Sequence, residues 1–229
     1  MRTFSLLLLT VIAVCGLISC ASVNSSGIPE PEPSVAVAEP IDPSKLQTAV
    51  FAGGCFWGVE AVFEHTKGVA DVRSGYSGGT AATANYDDIG SGKTGHAEAV
   101  EVSFDPEKIS YQQLLEVFFK VAHNPTELNR QGPDIGPQYR SAIFYIDENQ
   151  KAEAAGYMEK LGAAKVFSGP IVTQVVPLEK FYEAEPHHQN YLVRNPKDPY
   201  IVYHDLPKLE ALNKQFPALY IKPRLTGAK

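Results

Sequence analysis

A run of four apolar residues, 49–52, stops at Gly53-Gly54, and a helical pattern begins immediately after it. Residues 48–52 read as a buried strand that the glycine pair breaks. From about Cys55 to about His65, Phe56, Val59, Val62 and Phe63 recur on one helical face, and Lys67-Gly68 supplies a stop. Residues 69–76 read as a second strand. The Gly- and Ser-rich stretch 74–95 reads as a long loop, the kind that in a compact domain is functional or disordered. Residues 98–104 alternate: Glu98, Val100, Val102 and Phe104 share one face of a strand. Ser110 and Gln113 form a capping box for a helix to about His123, with Leu114, Leu115, Phe118 and Val121 turned inward. Strands are expected at 139–146 and 171–176, with a helix opened by Asp147 and Gln150 and running to about Leu161. Few of these connections resemble repeated βαβ units. The predicted fold is therefore α+β: a two-layer sandwich with a mixed β-sheet packed against helices, plus long irregular C-terminal segments.

The first 19 residues read as a leader. Arg2 precedes an apolar stretch, 6–18, that is short for a membrane span and suits the core of a signal peptide. It ends in Leu17-Ile18-Ser19-Cys20, which resembles the lipobox of bacterial lipoproteins and implies cleavage before Cys20 and lipid attachment to its sulfur. The competing reading is an uncleaved anchor with an incidental cysteine. Residues 20–45 carry Pro29, Pro31, Pro33, Pro40 and Pro43 among Ser, Glu and Ala, a composition that reads as an extended tether. Residues 46–229 suit one globular domain of ordinary size. Loss of Arg2 with the leader takes the net charge from −6 to −7, and there is no basic cluster. Nucleic-acid binding and polybasic membrane attachment are thereby disfavoured, and membrane contact is expected through the N-terminal lipid.

Cys55 is the sole cysteine beyond residue 20, and it sits in Gly53-Gly54-Cys55-Phe56-Trp57-Gly58 beside the only tryptophan. An isolated cysteine is commonly a small, inert, buried hydrophobe. At a strand-to-helix junction the helix N-terminus instead favours the thiolate, which makes Cys55 a candidate nucleophile. Glu98 shares the apolar face of its strand, where burial would raise its pKa and equip it as a general acid. As the strand's first residue it could equally point to solvent. Tyr86 lies in the loop before it, and Gly95-His96 adjoins it. The turn-rich stretch 129–136, which contains Asp134, leads into Gln138-Tyr139-Arg140-Ser141. His187-His188 beside Glu183 and Glu185 could suggest a metal site. Adjacent side chains diverge, however, and nothing has metal-ligand spacing to Cys55, so a structural histidine is the better reading and no metal is expected.

The motifs Gly54-Cys55-Phe56-Trp57-Gly58, Gly75-Tyr76-Ser77-Gly78-Gly79, Thr94-Gly95-His96-Ala97-Glu98-Ala99-Val100, Gln138-Tyr139-Arg140-Ser141 and His188-Gln189 together resemble the type A peptide methionine sulfoxide reductases, across about residues 49–220. The resemblance implies reduction of methionine-S-sulfoxide, in proteins or free, with Cys55 as nucleophile and Glu98 as the acid that protonates the sulfoxide oxygen. It further implies Tyr86 and Tyr139 as donors to that oxygen, Asp134 as a supporting carboxylate, and Phe56 and Trp57 as walls for the methyl group. The product on the enzyme is a Cys55 sulfenic acid.

This chain departs from the family pattern in lacking resolving cysteines. Gly90 occupies the loop position where some members carry one, and residues 56–229 contain none. No bound cofactor is expected. The expected reductant is an external thiol: a thioredoxin-like protein, a glutaredoxin or a small thiol. Should Cys20 escape lipidation, it becomes a free thiol that could serve as a resolver. His187 stands where many relatives carry an acidic or aromatic residue, which should touch packing alone. The expected form is a monomer, lipid-anchored in a bacterial cell envelope and facing the periplasm or exterior, that repairs oxidised proteins. The alternatives are another Cys-dependent enzyme, such as a thiol peroxidase or acyl hydrolase, and a non-catalytic lipoprotein module that binds oxidised methionine.

Overall fold

The computed structural model describes residues 42–222, so the leader, Cys20 and most of the tether lie outside the described residues. Along the chain run β1 (Gln47–Gly53), α1 (Phe56–Glu64), β2 (Val69–Ser77), α2 (Tyr86–Ile89), β3 (Ala97–Phe104), α3 (Tyr111–Val117), β4 (Arg130–Gln131), β5 (Asp134–Ile135), β6 (Ser141–Tyr145), α4 (Glu148–Ala163), β7 (Gln174–Pro177), β8 (Phe181–Glu183), α5 (Tyr191–Arg194) and α6 (Leu206–Gln215). Six strands form one sheet in the order β7-β6-β1-β3-β2-β8, and β4 pairs only with β5. All neighbours in the large sheet are antiparallel except β6 and β7. The mixed α+β fold expected from the sequence is the one observed.

β1 lies inside the sheet and is buried on both faces. Toward the helices, Phe51 stacks on Phe63 at 5.2 Å and on Phe118 at 4.9 Å, in a core that includes Val59, Val62, Val100, Val102, Phe104, Leu114 and Leu115. On the other face Val50 and Ala52 join Ala97, Ala99, Ala142 and Phe144, and Leu178 and Phe181 pack over them. Small side chains there let irregular chain, rather than a helix, close the second face.

Element ends differ from the sequence reading for identifiable reasons. Tyr139 belongs to a 3₁₀ turn, Pro137–Tyr139, and the strand starts only at Ser141. Pro137 has no N–H for a ladder, and Gly136 before it holds φ of +145°, which bends the chain. The loop after β2 contains α2, whose first turn is capped by the Asn85 carboxamide accepting from the Asp88 N–H at 3.0 Å. The Ser110 capping box is present as expected, and α3 passes into a π-helical turn, Phe118–Ala122. The expected strand at 171–176 is the shorter β7, because the Val172 N–H is taken by the Pro125 carbonyl at 2.8 Å instead of by a neighbouring strand. The C-terminal segment also carries β8, α5 and α6, to which the sequence reading assigned no element.

Gly54 makes the junction between β1 and α1 possible. Its φ is +94°, and a Cβ there would lie 2.6 Å from the Gln131 side chain. Gln131 cannot yield easily. Its Oε1 accepts from the Asn124 N–H at 3.0 Å and its Nε2 donates to the Asn124 carbonyl at 3.1 Å. Gly54→Ala is expected to cost about 2–4 kcal/mol, read as a lower urea midpoint, since backbone strain and overpacking combine. An unchanged midpoint would show that the junction is more plastic than this geometry implies.

Candidate active site

Strand register brings the first two groups together. Phe51 pairs with Val100 and Tyr76 with Glu98, so Glu98 falls level with the end of β1, beside the start of α1. Cys55 is the N-cap of α1, and the Phe56 N–H, one of the orphan donors of that helix end, donates to Glu98 Oε2 at 3.0 Å. Glu98 is 3% exposed, which rules out the solvent-facing alternative. Burial pushes its carboxyl up to about 8, with the negative charge of Asp134 adding to the rise, while bonds from Phe56 N–H and the Cys55 thiol oppose it. At neutral pH Glu98 is therefore mostly the acid.

The expectation that the helix N-terminus makes Cys55 a ready thiolate is corrected by its surroundings. Cys55 is only 8% exposed. Burial raises its thiol well above the usual range, the Glu98 and Asp205 carboxyls raise it further, and the Trp57 N–H and Lys208 offset this incompletely. The resting group is a protonated thiol next to a protonated carboxyl.

An aromatic wall stands on the other side. Trp57 lies flat on Tyr191, with ring centroids 3.7 Å apart and planes 6° apart, and Tyr200 meets it edge-on at 5.9 Å. The Trp57 indole N–H donates to His188 Nδ1 at 3.2 Å. Phe56 is fully buried beneath, 5.2 Å from the His188 ring and 5.8 Å from Tyr76. The Tyr86 ring lies tilted against His188 at 4.3 Å between centroids, and its backbone N–H donates to Glu185 Oε1 at 2.9 Å. The other Glu185 oxygen accepts from the Tyr76 hydroxyl at 2.8 Å. Gln189 clasps the same C-terminal segment to β2, its carboxamide bonded to both the N–H and the carbonyl of Ser74 at 2.9 Å. Asp134 accepts from the Tyr200 hydroxyl. Burial, followed by the charges of Glu98, Cys55 and Asp134, raises the Tyr86 hydroxyl to about 12; the same causes raise Tyr139. One small volume thus holds an acid, a thiol, phenolic donors and an apolar face.

Residues 47–219 match the family model described as peptide methionine sulfoxide reductase. The chain belongs to this family. It is 55% identical over 174 residues to peptide methionine sulfoxide reductase MsrA 2 of Mesorhizobium japonicum, a match covering 76% of this chain and 89% of that protein. It is 50% identical over 169 residues to the Natronomonas pharaonis MsrA, covering 74% and 94%. Among solved structures, the reduced form of Mxr1 from Saccharomyces cerevisiae superposes with a TM-score of 0.63 at 33% identity, covering 69% of this chain and 91% of that one. Methionine sulfoxide reductase A of Corynebacterium diphtheriae gives 0.60 at 34% identity, covering 71% and 82%. The protein is thus an oxidoreductase of the methionine sulfoxide reductase kind.

In this family member Cys55, Glu98, Phe56 and Trp57 meet directly, while Tyr86, Tyr139 and Asp134 converge on them from α2, the turn before β6, and β5. Cys20 lies outside the described residues. Among the described residues no three His, Cys, Asp or Glu side chains gather as metal ligands. His188 serves Trp57 instead. Sequence reasoning named Tyr76 only within a motif and Glu185 only beside the histidines, without the roles seen here, and it missed Tyr191, Tyr200, Asp205 and Lys208. Tyr191 adjoins the quoted His188-Gln189 motif and could have been drawn in with it. Tyr200 has no local signal, because its importance comes from reaching Asp134 across 66 residues.

Proposed function

We propose that this chain reduces methionine-S-sulfoxide, in proteins and free, through a Cys55 sulfenic acid. The observation that carries this reading is the buried, largely protonated Glu98 bonded both to the Phe56 N–H and to the Cys55 thiol. Sulfoxide oxygen leaves sulfur only when protonated, so a neutral carboxyl beside a sulfur nucleophile is the pairing that chemistry needs. Cys55 sulfur attacks the sulfoxide sulfur as Glu98 protonates its oxygen. The bond this makes between the two sulfurs is transient. As the hydroxyl passes to Cys55 sulfur, the substrate S–O bond and the sulfur–sulfur bond both break, the electron pair stays on methionine sulfur, and the oxygen ends as Cys55–SOH. The Cys55 proton replaces the one Glu98 gave. Tyr86 and Tyr139 donate to the oxygen, Asp134 steadies Tyr200, and Trp57 backed by Phe56 receives the methyl group. A wall opposite a proton donor favours one sulfur epimer.

A thiol peroxidase does not need the aromatic wall, and a Cys-His hydrolase needs an imidazole on the sulfur. The charged side chains that act on the Cys55 thiol here are two carboxyls, Glu98 and Asp205, and the Lys208 ammonium.

Cys55 is the one free cysteine among the described residues. The sulfenic acid is therefore reduced by thiols from outside: the first forms a mixed disulfide and releases water, and the second frees Cys55 as a disulfide departs. A thioredoxin-like protein, a glutaredoxin or a small thiol fits this role. With the leader 1–19 cleaved away, lipidated Cys20 and the tether 20–45 would hold the catalytic domain, 46–229, at the cell envelope to repair oxidised proteins there. After one turnover without reductant, a sulfenic-acid trap such as dimedone should label Cys55, with one methionine formed per protein. Turnover that leaves Cys55 in a disulfide, or unlabelled, would refute the external-thiol cycle.

A further inference from the structure

Asp205 and Lys208 sit against the nucleophile's helix, yet the reaction as written gives them no task. A π-helical turn, Ile201–Asp205, ends at Asp205, and α6 follows at once. Lys208, three residues on, returns to the same side, with Nζ 3.1 Å from Asp205 Oδ1. Asp205 is completely buried, and its Oδ2 has no hydrogen-bond partner among the described residues. The pair packs on the first turn of α1. A Cβ on Gly58 would lie 2.0 Å from Asp205 Oδ1 and 2.6 Å from Lys208 Nζ. Gly58 is helical and needs no special backbone freedom. Its missing side chain is the space the ion pair occupies.

A buried ion pair with an unpartnered oxygen is poor glue, since desolvation commonly cancels its attraction. An apolar pair would join α6 to α1 more cheaply. We infer that Asp205 and Lys208 are positioning residues that set the thiol–thiolate balance of Cys55, Lys208 as its counter-charge and Asp205 as the brace that seats Lys208 over Gly58. This rests on reading Cys55 as the nucleophile. The other groups that interact with that thiol are Glu98 from β3, Tyr86 from α2, Tyr139 before β6, Tyr191 of α5 and Tyr200, and Asp134 from β5 acts on Glu98 and on Asp205. His204 neighbours Asp205, and His123 feels Lys208. Lys208 favours the thiolate and Asp205 opposes it, so the two predict opposite effects.

The test is the rate at which iodoacetamide alkylates Cys55 at fixed pH in the full-length protein, followed by mass spectrometry on the Cys55 peptide. Losing a charge near the sulfur should move its thiol by about one pH unit. Because more basic thiolates are better nucleophiles, the rate should change about threefold. Lys208→Met should be slower, Asp205→Asn faster, and Lys208→Arg close to wild type. A purely structural role predicts faster alkylation in both charge-removing variants, as loosening exposes the thiol; that result, or no change, overturns the inference. If Lys208→Met does not fold, Lys208→Gln, which keeps a polar side chain beside Asp205, carries the same test: slower alkylation supports the inference, and faster or unchanged alkylation overturns it. The assay needs no sulfoxide. A wild type that fails to turn over would sink the proposed function and leave this result standing.

Discussion

Cys55→Ser is expected to reduce sulfoxide turnover to background while a methionine sulfoxide peptide still binds with near wild-type affinity. The reason is the destination of the oxygen. Cysteine accepts it as a sulfenic acid, a stable enough intermediate for a second thiol to reduce. Serine would have to accept oxygen onto oxygen, forming a weak peroxide bond, and its hydroxyl is far harder to ionise than a thiol. The substitution changes little else. Trp57 keeps its platform on Tyr191 and its bond to His188, and Phe56 keeps its N–H on Glu98. Binding can be followed by the fluorescence of Trp57, the chain's only tryptophan, and reduction by single-turnover formation of methionine. Residual single-turnover reduction by Cys55→Ser would remove the sulfenic acid from the mechanism. Binding without reduction by the wild-type protein would leave a recognition module in place of an enzyme.

The sequence made legible what is written locally. Residues 49–52, buried on both faces, and the Gly53-Gly54 break announced β1 and the start of α1, and the alternation that ends at Phe104 placed Glu98 on an apolar face. Glu98 and Cys55 are 43 residues apart, yet each carried its own signature of burial or reactivity. The balance between them was not legible. The helix terminus suggested a thiolate, but burial and two carboxyls outweigh it, and Asp205 lies 150 residues away in a segment with no visible reason to approach Cys55. The same holds for Tyr191 and Tyr200. Their roles arise because Gln189 and Glu185 fasten the C-terminal segment to β2 and α2, a contact created by tertiary folding alone. α6 is different: Leu209 and Leu212 are buried on one side of it, and that periodicity was available in the sequence.

Glu98→Gln should slow the reduction step by about 10²–10⁴-fold while substrate binding stays nearly intact, the range usual for loss of a positioned general acid. Glutamine can still accept the Phe56 N–H, so the loop keeps its shape; what it lacks is an acidic proton. In the wild type that proton is held with a pKa of about 8. The single-turnover rate should therefore fall as pH rises through about 8, and the variant should show no such fall. The stability of the wild type should fall with rising pH as well. The folded-state pKa is raised from 4.5 to about 8, so between those values the folded protein keeps a proton that the unfolded chain gives up. The contribution is fully present below 4.5 and is lost as pH rises through about 8. Glutamine stays neutral throughout, so the variant should equal or fall below wild type in acid and exceed it in alkali. Glu60, also raised to about 8 chiefly by burial, stays in both proteins and leaves part of the alkaline slope in each. Urea midpoints at pH 5 and pH 9 separate the two contributions. If Glu98→Gln gained no stability at the higher pH, the carboxyl would be ionised in the resting protein and unable to act as the acid. One substitution therefore tests the protonation state twice, once through the rate and once through the fold. Both readings should turn near the same pH, because they report the same proton.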